Sequence, residues 1–115
     1  MNELHLLRHI GRAPEERSRT GEELHLPELL RLRARFTLAR GGHADQVVPD
    51  LMEAVRLATE RGARVSRLRA AVDLARLPAR SRPEAWRSVL AEARDDMPRS
   101  ATTVDTAAAG ELLDR

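Results

Sequence analysis

The stretch LPELLRLRARFTLARGG, residues 26–42, decides how the chain folds. Its middle, LLRLRAR, alternates apolar and charged residues, which is the period of a half-buried strand. The wider window overrules that reading. It is long, it is rich in the helix formers Leu, Ala and Arg, and it closes on Gly41-Gly42, a helix stop. Pro27 then fits the first turn of a helix over residues 26–40. At about 100° per residue, Leu29, Leu32, Phe36 and Ala39 line one side of that helix. Leu30, Ala34, Thr37 and Leu38 line much of another. Arg31 and Arg35 fall in one gap between these faces, and Arg33 and Arg40 fall in the opposite gap. The arginines therefore form two separated pairs and not one cationic patch. A helix with two apolar faces suits the inside of a stack of helices, and the arginine stems can cover apolar edges while their charges reach water or nearby acids.

The same periodicity continues outward. Residues 47–61 place Val47, Val48, Leu51, Met52, Ala54, Val55 and Ala58 on one side, with Pro49 in the first turn and Gly62 as the stop. Residues 63–77 spread Leu68, Ala71, Val72, Leu74 and Ala75 over more than half the wheel. Such a helix is packed on more than one side. A narrow polar strip remains, carrying Arg69, Asp73 and Arg76. A fourth helix is expected from the SRPE segment, where Ser81 and Glu84 have the spacing of a capping box and Pro83 fits the first turn. Its buried stripe would be Trp86, Val89, Leu90, Ala93 and Met97. A short last helix is expected around Asp105 to Leu113. Residues 1–10 read as a short helix and residues 11–21, GRAPEERSRTG, as a polar loop.

Composition agrees with an all-α protein. The chain has 115 residues, one Phe, one Trp and no Tyr or Cys. That is enough for one domain. Two units are expected: residues 1–21, a short N-terminal helix and polar loop, and residues 22–115, a helical array. Helices of this length joined by short turns pack as antiparallel hairpins, and repetition of such pairs describes a helical solenoid. The formal charge is only +2, from 20 basic and 18 acidic residues. Every basic residue is Arg, so almost nothing titrates between the His and Arg ranges, and a small excess lifts the pI to about 10.7. The high pI therefore does not argue for nucleic acid.

From Gly21 onward the chain resembles the tetratricopeptide-like C-terminal arrays of large bacterial regulators. Those are predicted ATPases of the STAND type, fused to adenylate/guanylate cyclase or DNA-binding activator domains. The resemblance rests on Gly21-Glu22, on Pro27 to Leu32, on the series Val47, Leu51, Ala54, Ala58, Gly62 and Ala63, and on LRAAVDLARL at Leu68 to Leu77. Glu84-Ala85, Val89-Leu90 and Leu112 to Asp114 complete it. Ala34 stands where the family usually has Gly. The resemblance implies a short tetratricopeptide-like α-solenoid and a role in protein–protein interaction within signalling or transcription regulation. It covers the array alone, so the chain reads either as a standalone protein or as a truncated piece of a larger regulator.

Chemistry is sparse. His5 and His9 share a helical face at zinc-ligand spacing, but no third ligand accompanies them and Leu6 stands where a metalloprotease motif needs Glu. Gly41-Gly42 lacks the context of a phosphate loop, and no nucleophile elbow is present. The expectation is a nonenzymatic protein with no metal, cofactor or small-molecule substrate. No apolar run approaches the length of a membrane span, and the start MNELHLLRHIGR lacks the features of a secretory signal, so a cytoplasmic location is expected. The strip Arg69, Asp73, Arg76 has the spacing of a local salt-bridge ladder. With Arg31 and Arg35 it also forms the set of candidate partner contacts. Trp86 reads as core. Two hairpins are fewer than the three or more repeats that a stack usually needs. Apolar surface is therefore expected at one end, filled by a protein partner or a second copy. The alternative is a small Arg-rich nucleic-acid-binding transcriptional regulator.

Overall fold

The computed structural model describes residues 19–101 and 103–115. The expected helix over residues 1–10 and most of the expected loop lie outside the described residues, as do His5 and His9. Among the described residues there are five α-helices and one 3₁₀ turn, and no strand. The helices are α1 (Arg19–Ala39), α2 (Val48–Glu60), α3 (Arg64–Ala75), α4 (Trp86–Asp95) and α5 (Val104–Asp114). A 3₁₀ turn, Ala44–Gln46, joins α1 to α2.

The first helix departs from expectation at its start. It begins at Arg19, runs through Gly21 and holds Pro27 inside it, not in its first turn. Gly and Pro had marked this segment as a boundary on local grounds. Pro27 lacks the N–H that would bond four residues back, at a cost of about 3 kcal/mol in a helix interior. Its ring is fully buried, and that packing offsets the missing bond.

The glycine stops work as the sequence suggests. Gly41 and Gly62 have φ of 85° and 69°, in the left-handed region that Gly adopts without strain. Behind each, paired amides close the helix end. Gly42 N–H bonds Thr37 O at 2.9 Å, and Ala63 N–H bonds Ala58 O at 2.8 Å. His43 then caps the 3₁₀ turn by accepting from Asp45 N–H at 3.1 Å, while Gln46 accepts from His43 N–H at 3.0 Å.

The expected capping box at Ser81 and Glu84 does not form. The link after α3 turns on Pro78, whose carbonyl accepts from Ser81 N–H at 2.8 Å. Ser81 is buried in that turn, and α4 starts at Trp86 with no side-chain cap. A capping box forms instead at Thr103 and Thr106, where α5 begins.

The core centres on α3, which packs against all four other helices. Leu68, Ala70, Ala71, Val72, Leu74 and Ala75 are all buried. One side of the helix meets Ala54 and Val55 of α2, Leu90 and Ala93 of α4, and Ala109 and Leu112 of α5. The other side joins Ala34 of α1, Val47 and Leu51 through Leu74. We expect Leu68→Ala to lower the unfolding free energy by about 2–5 kcal/mol and Ala71→Leu by about 1–3 kcal/mol through overpacking. Val104 is 84% exposed, and Val104→Ala should change stability by less than about 0.5 kcal/mol. Urea unfolding checks all three.

Candidate functional site

Two arginines of α1, Arg31 and Arg33, pair with acids of the neighbouring helices. Arg33 on one edge reaches Asp50 of α2 at 3.0 Å. Arg31 on the other edge reaches Asp73 of α3 at 3.5 Å and Glu28 on its own helix at 3.6 Å. Arg31 and Arg33 thus lie on opposite edges of α1, as the helical wheel has them: one faces α3, the other α2.

The strip on α3 behaves differently from a local ladder. Arg69 reaches away from its own helix, to Asp105 of α5 at 3.3 Å and to Glu28 of α1 at 3.8 Å. Asp73 reaches Arg31, and the charges of Arg35 and Arg76 also act on it. Arg31, Arg35, Asp73 and Arg76 therefore lie along the contact of α1 with α3, and Arg69 links that contact to α5. Farther round α3, Arg64 and Arg67 reach Asp96 at the end of α4, at 3.5 and 3.7 Å. Asp105 as a partner of Arg69, and Asp96 as a partner of Arg64 and Arg67, were not foreseen in the sequence. Their partners are on other helices, so no local spacing could reveal them.

The α1–α3 side carries two adjoining grooves. One, of about 290 Å³, runs between His25, Glu28, Leu29, Arg31, Leu32 and Arg35. The next, of about 230 Å³, is lined by Ala34, Arg35, Leu38, Leu51, Asp73, Arg76 and Leu77. Arg35 belongs to both. These are mixed surfaces, with aliphatic floors and charged rims.

Burial sets the titration of the acids here. Asp73 has its pKa raised, chiefly because burial desolvates the carboxylate, and the attraction of Arg31, Arg35 and Arg76 only partly opposes this. Asp50 is raised for the same reason, in spite of Arg33 at 3.0 Å. These pairs contribute little net stability, because desolvation takes back much of the Coulombic gain.

The apolar faces of α1 divide. Pro27 and Ala34 are buried and Leu30 packs on the core. Leu32 is 40% exposed, Phe36 49% and Leu38 39%. Trp86 is half-buried; it packs on the core through one side, while the guanidinium groups of Arg82 and Arg87 lie over its ring. Among the described residues no group of three or more His, Cys, Asp or Glu is placed to hold a metal ion.

No family model, curated protein or solved structure matches the chain.

The raised Asp73 carboxyl has a measurable consequence. The folded chain favours its protonated form, so its contribution to stability is full below the unfolded pKa and is lost as pH rises through the folded one. Asp73→Asn lacks this titration. The stability of the parent relative to Asp73→Asn should therefore fall as pH rises through the carboxylate range, seen as urea midpoints at successive pH values. A parent that gains on the variant over that range contradicts the dominance of burial.

Proposed function

We propose that the chain is a noncatalytic helical-repeat module for protein–protein interaction, a short tetratricopeptide-like solenoid serving a bacterial signalling or transcription regulator in the cytoplasm. The observation that carries the reading is the uncovered second face of α1. Leu32 and Phe36 repeat at helical spacing and remain exposed, while the opposite face is packed. In a stack of helices such a face receives the next helix. Here it would receive a partner or a second copy.

Packing order supports the same reading. Helix α1 lies beside α2, α3 lies against both, and α4 and α5 lie against α3 and each other. Helix α3 touches α1 and α5 as well as its neighbours in sequence, as a stacked arrangement would require. The likeness of LRAAVDLARL to the regulator arrays falls on α3, the most enclosed helix. No helix among the described residues is long and apolar enough to cross a membrane.

The charges favour protein over nucleic acid as the direct partner of this side. Binding a phosphate backbone needs arginines free to converge on it. Arg31, Arg33 and Arg69 already have carboxylates within ion-pair reach. The sequence carries no phosphate-loop motif of the kind an ATPase uses.

Static light scattering over a range of concentrations tests the reading, with Leu32→Ser/Phe36→Ser as the comparison. We expect the mass of the parent to rise with concentration, or an apolar dye to bind it, and both responses to be lost in the variant. A parent that stays monomeric at every concentration and binds no such dye overturns the proposal.

A further inference from the structure

A third cavity, of about 340 Å³, opens where α3 ends, α4 begins and α5 ends. Four of its lining residues are Arg76, Arg82, Arg87 and Arg115, and none is Asp or Glu. Many of the other arginines are ion-paired. Elsewhere Arg31, Arg33, Arg56, Arg64, Arg67, Arg69 and Arg94 each have a carboxylate within 4 Å. The whole chain has a formal excess of only +2, yet four positive side chains meet at this corner.

Two of the four are held in place. Arg82 lies 4.3 Å from the centre of the Trp86 ring and donates to Ala75 O at 3.3 Å. Arg87 lies 4.8 Å from the same ring and donates to Leu113 O at 2.6 Å and Arg115 O at 3.4 Å. Their hydrogen-bond acceptors are thus main-chain oxygens at the ends of α3 and α5. A guanidinium has five donors in a planar fork, so both keep capacity for an anion after these bonds are made. Fixing them beforehand removes part of the entropy cost of binding. Cations gathered around one cavity repel one another, and an anionic group entering it relieves that repulsion.

We infer that this corner binds an acidic peptide segment of a protein partner, with Asp or Glu side chains among Arg76, Arg82, Arg87 and Arg115. The inference rests on the interaction-module reading and adds the chemistry of the partner. Two features select a peptide. Arg76 belongs both to this cavity and to the groove floored by Leu38, Leu51 and Leu77. A chain with acidic residues at the corner can therefore lay aliphatic residues along the groove. Trp86 is the second feature. Arg82 and Arg87 already lie over its ring, so it offers no open platform for stacking a base.

Trp86 is the single Trp of the chain, so its fluorescence reports on this corner. The test is a titration of the full chain with hexaglutamate, with inorganic phosphate and a short oligothymidylate as comparison probes. We expect a saturable change in emission with hexaglutamate, and a dissociation constant raised about tenfold or more in Arg76→Gln/Arg115→Gln. Neither of these side chains holds the Trp86 ring. Leu32→Ser/Phe36→Ser should bind hexaglutamate as the parent does. No response to hexaglutamate overturns the inference, as does an equal response to phosphate at the same concentration or tighter binding of the oligothymidylate. If the light-scattering result stands while hexaglutamate fails to bind, the acidic-peptide inference alone is lost. If hexaglutamate binds while the parent stays monomeric and dye-free, the apolar α1 interface is lost and the acidic site stands.

Discussion

Four helices reach α3 only because that helix presents small side chains on several sides. Ala70, Ala71 and Ala75 let neighbouring backbones come close, and Leu68, Val72 and Leu74 fill the spaces between. A larger residue at an alanine would push a neighbour away; a smaller one at Leu68 would open a cavity. The crossing of α1 and the docking of α5 both depend on this arrangement. So does the position of every charged group discussed above, because Arg69, Asp73 and Arg76 occupy what remains of α3's surface.

Charge then follows packing. With nearly all of its circumference covered, α3 can place Arg69 and Asp73 only where other helices meet them. Arg69 reaches α1 and α5, and Asp73 reaches α1. The same logic accounts for Arg33 and Asp50 between α1 and α2. Each of these pairs joins two helices. Four arginine side chains nonetheless gather at one corner, around Trp86, and α1 keeps an apolar strip exposed.

Much of this architecture is legible in the sequence, because helical periodicity and glycine stops are local signals. Gly41 and Gly62 end helices where expected, and the wide apolar arc of residues 63–77 announces a helix packed on several sides. The misreadings have a common cause. Gly21, Pro27 and the SRPE segment carry strong local preferences that tertiary packing overrode: Pro27 is buried inside α1 and Ser81 inside a turn. Of the five candidate contact residues, four lie along the contact of α1 with α3, and Arg69 links that contact to α5. Of their ion-pair partners, Glu28 had a local trace, three residues before Arg31 on the same helix, whereas Asp105 approaches Arg69 only once the helices are packed. The Arg82–Trp86–Arg87 cluster had a local trace, as Arg82 and Trp86 are four apart, but a Trp at core spacing concealed it.

Native-state hydrogen exchange tests the central claim most directly. If α3 is the hub, its amides from Leu68 to Ala75 exchange only through global unfolding. Their opening free energy should then equal that from urea unfolding, with the first turns of α1 and the last turn of α5 opening at lower cost. Exchange of the α3 amides as fast as those of α1 or α5, well below the global value, would contradict the account.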